Sequence, residues 1–197
     1  MTLVFATNNP NKIKEIRSVL TDEFTVITLE EAGINIEIPE PHQTLEENAS
    51  EKSQTIATIT GKHCFSEDTG LEVNALNGEP GVRSARYAGE HADSGENINK
   101  LLVKMKGKEN RSAQFRTVIS LILNNNEYFF EGICKGEISL KPKGNNGFGY
   151  DPIFKPADSN KTFAEMLIDE KNLFSHRKKA LDKLIGFLKN YNGTPQN

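Results

Sequence analysis

Hydrophobic and polar positions follow two different periods along the chain, which predicts strands interleaved with helices. Residues 3–6 are a short apolar run typical of a buried strand, and the next apolar positions, Ile13 and Ile16, keep helical spacing. Asn9 followed by Pro10 is an N-cap residue with proline at the first helical position. The chain is therefore expected to pass from a strand into a helix here.

The same alternation continues to the middle of the chain. Strands are predicted at residues 25–29 and 63–66, with a helix between them at residues 45–60. Thr44 and Glu47 have the spacing of a capping box, which would begin this helix. The pattern then predicts a strand, a glycine-rich irregular stretch and a helix, at residues 71–74, 77–89 and 94–105.

The C-terminal half contains a hairpin and a final helix. Two β-rich runs, residues 114–123 and 127–140, are joined by an Asn-Asn-Asn segment, which indicates an antiparallel hairpin. A short strand at residues 152–154 and a helix at residues 175–191 follow, and the tail 192–197 is expected to be disordered. The hairpin excludes a purely parallel sheet, so we predict an α/β fold with a mixed central sheet and flanking helices.

Composition narrows the class of protein. The 197 residues fit one domain spanning residues 1–197, and the formal net charge of -3 argues against broad adhesion to nucleic acid. Cys64 and Cys134 lie in apolar runs and are too few for a disulfide scaffold, so we expect buried, reduced thiols. The chain has no uninterrupted apolar stretch of about 18 residues and no signal-like start. We therefore expect a cytoplasmic protein with no membrane or nucleic-acid partner.

Two adjacent acids mark the expected centre of the chemistry. Glu67 and Asp68 directly follow the predicted strand at residues 63–66 and precede a Thr69-Gly70 pair that is typical of a turn. Carboxylates at a strand end suit a hard cation such as Mg²⁺, which binds oxygen ligands. The alternative is an acidic pair that only initiates a turn.

A second segment is suited to an anion. Residues 7–12, Thr-Asn-Asn-Pro-Asn-Lys, lie between a strand and a helix, where unpaired backbone N–H groups and the helix dipole favour negative charge. Lys12 in the first helical turn opposes that dipole, and a bound phosphate would remove the conflict. The alternative is an ordinary capped helix with a solvated lysine, since the Walker glycines are absent.

Two further segments are suited to a nucleobase. Residues 147–154, Gly-Phe-Gly-Tyr-Asp-Pro-Ile-Phe, combine glycines that admit close backbone approach with two aromatic residues, Phe148 and Tyr150, that could stack on a base. Near residue 175 a helix begins with His176 and Arg177, contrary to the dipole preference, which is a mark of functional sites. The alternatives are an ordinary bulge and a solvated basic helix start.

These four segments, in this order and with these intervals, resemble the Ham1/inosine-triphosphatase family of nucleotide pyrophosphatases, and the resemblance runs from Leu3 to about residue 188. It implies two lobes around a nucleotide-binding cleft, a homodimer, and Mg²⁺-dependent hydrolysis of ITP, dITP and XTP to monophosphate and pyrophosphate. A Maf-like enzyme acting on pyrimidine or modified nucleotides and a non-catalytic nucleotide sensor are the alternatives, although a sensor would not need the acid set.

The resemblance also implies roles for individual residues. Asp68 matches the catalytic acid, and Glu47 and Asp68 match the metal ligands, while Glu67 stands where the family commonly has aspartate and could add a third ligand. Arg83 or Arg86 is a weaker candidate for phosphate contact. Phe148 is expected to pack on the base. The residues expected to contact the edge of the base are Asp151, Lys171, His176 and Arg177. The implied substrate-binding residues are Thr7, Asn8, Asn9, Pro10, Asn11, Lys12, Lys52, Thr69, Phe148, Gly149, Tyr150, Asp151, Lys171, His176 and Arg177.

Overall fold

The computed structural model describes residues 1–20, 24–91 and 93–191. The predicted disordered tail at residues 192–197 lies outside these ranges. In chain order the described helices and strands are β1 (Thr2–Phe5), α1 (Pro10–Arg17), β2 (Thr25–Thr28), α2 (Leu45–Thr60), β3 (Cys64–Val73), β4 (Pro80–Gly81), α3 (Ser94–Lys104), β5 (Ser112–Leu123), β6 (Asn126–Ile138), β7 (Phe154–Pro156), α4 (Ile168–Asn172) and α5 (His176–Asn190).

The local signals in the sequence place most of these elements correctly. The Asn9 side chain caps α1 with Pro10 at its first position, and Thr44 caps α2, as predicted. Asn124 and Asn125 have φ values of 51° and 62°, the left-handed conformation that a two-residue hairpin connection requires between β5 and β6. The hairpin is therefore confirmed, while the predicted strand at residues 152–154 is shifted to β7.

The strands are arranged in the order β2-β1-β3-β5-β6-β7, and β4 pairs with β3. Strand β1 is parallel to both β2 and β3, whereas β3 with β4 and β6 with β7 are antiparallel. The predicted mixed sheet is thus confirmed.

One prediction about the sheet is wrong. The sequence suggested two strands separated by a turn at Thr69 and Gly70, but β3 is a single strand from Cys64 to Val73. A Cβ atom at Gly70 would lie 2.7 Å from the carbonyl oxygen of Gly81 in the paired strand β4. Gly70 therefore allows a close approach of two backbones rather than a turn.

The chain divides into two compact units, each built from separate segments. The first contains Met1–Asp68, Thr117–Gly132 and the residues from Arg177 onward, and the second contains Thr69–Arg116 and Ile133–His176. The single domain expected for residues 1–197 stays a prediction.

The core of the first unit lies on both sides of β1 and β3. On one side Phe5 and Phe65 stack with their ring centroids 4.5 Å apart, in a cluster that includes Ile16 of α1 and Leu184 of α5. On the other side Val4 and Cys64 belong to a cluster that includes Ile56 of α2. Successive residues of each strand therefore face α1 and α5, or α2.

The second unit has its own aromatic core. Phe115, Phe154 and Phe163 pack together there, with Phe115 and Phe154 ring centroids 4.7 Å apart. Both cysteines are buried thiols outside any disulfide, as expected, and burial raises the pKa of the Cys64 thiol to about 12. In the part of the chain that the structure describes, none of the helices combines the length and apolar character needed to span a bilayer.

Candidate functional site

Glu67 and Asp68 are neighbours in β3, so their side chains point to opposite faces of the strand. The residues before them follow the same alternation. Phe65, on the face of Glu67, stacks on Phe5, and the Ser66 hydroxyl, on the face of Asp68, donates to a backbone carbonyl of α2. The two acids therefore belong to different surroundings within the first unit.

The carboxylate of Glu67 lies in a buried ionic network. Arg177 Nε donates to both Glu67 oxygens, at 3.0 and 2.8 Å, and Lys12 Nζ is 3.3 Å from Glu67 Oε1. Arg177 Nη1 also donates to the carboxylate of Glu15 on α1. Burial alone would raise the pKa of Glu67, but the charges of Arg177 and Lys12 outweigh it and lower that pKa to about 2. Glu67 therefore stays ionised when buried.

This network shows what two of the predicted site residues contact within the first unit. Arg177 was expected to contact the edge of a base, but its Nε and Nη1 donors are bound to Glu67 and Glu15. Burial would lower the pKa of Arg177, yet the two carboxylates raise it, so the guanidinium remains charged. The basic start of α5 is explained by these buried acids, since a buried charge requires a partner. Glu67 correspondingly serves as the partner of two cations rather than as an open metal ligand.

The loop before α1 satisfies its own backbone donors. Asn9 Oδ1 accepts the N–H groups of Asn11 at 2.9 Å and Lys12 at 3.3 Å, and the N–H of Asn9 donates to Thr7 Oγ1 at 3.2 Å. The Asn8 side chain donates to the carbonyl of Ile36, while Pro10 and Asn11 are exposed. The N–H groups of Asn9, Asn11 and Lys12 are thus not left open, and the half-buried ammonium of Lys12 is what this segment offers to an anion.

On the other face of β3, Asp68 contacts α2. Asn48 Nδ2 donates to Asp68 Oδ2 at 3.3 Å, and the Asn48 amide is anchored on the backbone N–H and carbonyl of His42. Lys52 Nζ lies 3.7 Å from Asp68 Oδ1 and also donates to Glu40. Asp68 and Lys52 are 5% and 6% exposed, so both members of this contact are buried.

Glu40 is a further acid beside Lys52, and the sequence alone does not predict it there. It shares the ammonium of Lys52 with Asp68, which places the two carboxylates on one cation. The available signal was an acid between Pro39 and Pro41, because flanking prolines restrict the backbone to an extended form.

Glu47, which was expected to bind metal, has a different contact. It is exposed, and its carboxylate accepts the Thr44 hydroxyl at 2.8 Å while its N–H donates to Thr44 Oγ1. Among the described residues, no three His, Cys, Asp or Glu side chains gather into a set that could hold a metal ion by themselves. Asp68 and Glu40 nevertheless supply two carboxylates, and a hard cation that completes its coordination with water and substrate phosphates fits such a donor set.

Several candidate base-binding residues of the second unit lie in a tight turn at residues 147–151. Asp151 Oδ2 accepts the N–H of Phe148 at 2.9 Å and the ammonium of Lys171 at 2.5 Å. A Cβ atom at Gly147, whose φ is +74°, would lie 1.9 Å from that carboxylate, so only glycine fits. Lys171 Nζ is also 5.3 Å from the ring centroid of Phe148. The turn therefore holds a half-buried aromatic ring beside a buried ammonium.

The other predicted residues of this unit have different surroundings. Tyr150 was expected to offer a ring to a base, but it is buried in the core and its hydroxyl donates to the carbonyl of Ser84 at 2.9 Å. Burial raises its pKa. The buried His176 ring stacks on Phe115 with centroids 4.6 Å apart. Gly149 has open space around it, and Thr69 is half-buried in β3.

The two arginines considered for phosphate contact lie in the loop after β4. Arg83 Nη2 is 3.9 Å and Arg86 Nε 4.0 Å from Glu90 Oε1. The Arg83 side chain is 64% exposed, so its ion pair with Glu90 is too solvated to fix the position of the guanidinium.

Comparison with known proteins gives one consistent result. A profile of the Ham1 family matches residues 3–187. The chain is 52% identical to a dITP/XTP pyrophosphatase of Flavobacterium johnsoniae over 188 residues, which cover 95% of this chain and 98% of that protein.

Two solved structures are similar over nearly the whole chain. The Ham1 protein of Staphylococcus aureus is 40% identical with a TM-score of 0.86, covering 96% of this chain and 98% of that one. A HAM1 protein from Coxiella burnetii is 38% identical with a TM-score of 0.89, covering 97% of this chain and 100% of that one.

Proposed function

This chain belongs to the Ham1 family, and we propose that it hydrolyses ITP, dITP and XTP to the monophosphate and pyrophosphate, which removes these triphosphates from the nucleotide pool. The similarity to the dITP/XTP pyrophosphatase of Flavobacterium johnsoniae, which covers 95% of this chain, supports the substrate class. The contacts of individual side chains support the chemistry, as follows.

The observation that carries the proposal is the environment of Asp68. Its buried carboxylate accepts the amide of Asn48 at 3.3 Å and lies 3.7 Å from the ammonium of Lys52, which places a carboxylate beside a cation that could also meet a phosphate. Such a carboxylate can accept a proton from water and orient that water for attack on phosphorus. Asp68 is therefore the proposed catalytic acid-base group.

We propose Mg²⁺ as the cofactor, held by Asp68 and Glu40. When bound, the ion would neutralise charge on the triphosphate. Glu40 takes the place first expected for Glu47, because it shares Lys52 with Asp68. Lys12 and Lys52 supply the protein's own positive charge for the phosphates, and the pairing of Lys12 with Glu67 holds its ammonium at the start of α1.

Phe148 and Lys171 supply the proposed contacts for the purine. The face of Phe148 can stack on a base, and the ammonium of Lys171, oriented by Asp151, can donate to the acceptor that hypoxanthine and xanthine carry at position 6. His176 is a further edge contact implied by the family. Adenine has an amino group at position 6 and would leave such donors without an acceptor, so ATP should be a poor substrate.

The test is pyrophosphate release from ITP, XTP, GTP, UTP and ATP, each with Mg²⁺ and with a chelator. We expect ITP and XTP to be hydrolysed efficiently and only with the metal. Preferred hydrolysis of UTP would support a Maf-like enzyme instead. Binding of ITP without release of pyrophosphate would support a sensor.

We further propose a cytoplasmic homodimer that binds neither nucleic acid nor membrane. Exposed apolar side chains of the second unit, Leu140 at 81%, Leu167 at 72% and Leu173 at 77% exposure, support association. The buried, reduced thiols support a reducing compartment, and the net charge of -3 supports the absence of nucleic-acid binding. A monomer mass by light scattering at micromolar concentration would contradict the dimer.

A further inference from the structure

Lys52 holds together two acids that would otherwise repel each other. Its ammonium donates to Glu40 and lies 3.7 Å from Asp68 Oδ1, and its side chain is only 8% exposed. Buried carboxylates need positive charge close by, because water cannot stabilise them there. In this arrangement the charge comes from the protein itself.

The proposed metal would need the same two carboxylates. Two cations that share one pair of acids repel each other, and the repulsion is strong where water is largely excluded. Lys52 and a divalent ion are therefore alternatives at Glu40 and Asp68. A lysine suits this exchange, since its flexible four-carbon stem lets the ammonium move while the backbone of α2 stays in place.

We propose that Lys52 is a built-in counter-cation, which leaves Glu40 and Asp68 when a divalent ion binds and then donates its released ammonium to a phosphate of the substrate. This inference rests on the proposed function for the identity of the substrate. It makes metal binding the event that releases a phosphate-binding lysine. It also predicts that Lys52 weakens metal binding in the absence of nucleotide, although it supports catalysis.

The test measures Mn²⁺ binding by electron paramagnetic resonance and Mg²⁺ binding by calorimetry in the full, nucleotide-free chain. Lys52→Met keeps the apolar stem and removes the competing charge, so it should bind both ions about tenfold more tightly or better. Lys52→Arg keeps the charge and should bind them as weakly as the wild type. Lys14→Met removes one positive charge from an exposed position of the same unit and should leave the affinity unchanged. Equal or weaker binding by Lys52→Met, including no binding by either protein, would overturn the proposal.

A second measurement uses the wild-type protein and does not depend on the folding of a variant. Acylation of Lys52 by an amine-reactive reagent, followed by mass spectrometry, should become several-fold faster when Mg²⁺ is added, while acylation of Lys14 stays constant. An unchanged rate at Lys52 would also overturn the proposal. Hydrolysis of ITP by wild-type protein combined with an unchanged metal affinity in Lys52→Met would contradict this inference alone. Tighter metal binding without hydrolysis of any triphosphate would contradict the proposed function alone.

Discussion

Two neighbouring acids lie on opposite faces of β3 and contact different sets of side chains. On one face Glu67 is bound by Arg177 at 2.8 Å and by Lys12 at 3.3 Å, and Glu15 binds the same arginine. These two acids and two bases balance in charge. On the other face Asp68 has an amide at 3.3 Å and a lysine at 3.7 Å that it shares with Glu40.

The difference shows how one short sequence can place two adjacent carboxylates in separate surroundings. The alternation of a strand sends adjacent side chains to opposite faces, so each acid acquires its own partners. An acid that is tightly bound by two cations contributes to the stability of the folded state and is less available to act on water or metal. Asp68, whose contacts include an amide and a lysine shared with Glu40, is the acid that we propose acts on water or metal.

The largest expected effect is on the face of Asp68. Asp68→Asn keeps the shape of the side chain but removes the charge that orients water and binds metal, so turnover of ITP should fall by a factor on the order of 10²–10⁴. Its measurement is the kcat for pyrophosphate release at saturating Mg²⁺. Thermal unfolding should stay cooperative, because Lys52 retains Glu40 as a partner. Near-normal turnover by folded Asp68→Asn would move the catalytic group elsewhere.

The opposite result is expected on the face of Glu67. Glu67→Gln removes one of the two carboxylates that bind the buried guanidinium of Arg177, so the free energy of unfolding should fall by about 3–5 kcal/mol. Urea unfolding at neutral pH measures the change. Glu31→Gln is the matched control, because Glu31 pairs with Arg17 on the surface and should cost less than about 1 kcal/mol. A loss no larger than the control's would show that the network around Glu67 is not a structural one.

Much of the fold could be predicted because its signals are local. The cap at Asn9 and Pro10 and the Asn-Asn connection of the hairpin depend on residues within a few positions of each other. The adjacency of Glu67 and Asp68 likewise predicts that their side chains lie at one place in the chain, and both are in β3. The residues next to Gly70 do not show whether it forms a turn or continues the strand. The deciding contact is with the backbone of Gly81, which belongs to β4.

The partners of the site residues could not be predicted in the same way. Arg177 is bound by residues 15 and 67, far from it in the sequence, and the sequence does not show which charges will meet in the core. The excess of positive charge at the start of α5 is visible in the sequence, but contact with a nucleobase and contact with a buried acid explain it equally well. Lys52 was implicated by the family, whereas its partner Glu40 became apparent only from the structure.

The face of Glu67 should also be distinguished by its response to acid. The pKa of Glu67 is lowered from an ordinary value of 4.5 to about 2, because Arg177 and Lys12 outweigh the effect of burial. A carboxyl group whose pKa is lowered by folding stabilises the folded state at pH values above its ordinary pKa. This stabilisation is lost as the pH falls from 4.5 towards 2. The loss should approach about 3 kcal/mol. In urea unfolding the difference between wild type and Glu67→Gln should therefore narrow from pH 5 to pH 3, and a constant difference would contradict the assignment.

The smallest expected effect concerns Lys12, the one cation of the Glu67 network whose side chain is partly exposed, at 15%. If this face were purely structural, Lys12→Met would change stability alone. We expect instead a loss of about 1 kcal/mol in stability, since Arg177 still pairs with Glu67, together with a rise of roughly tenfold in the KM for ITP from the lost phosphate contact. Lys14→Met, an exposed lysine on the same helix, should leave both quantities unchanged. A KM unaffected by Lys12→Met would assign Lys12 wholly to the structural network and leave Lys52 as the lysine that meets the phosphates.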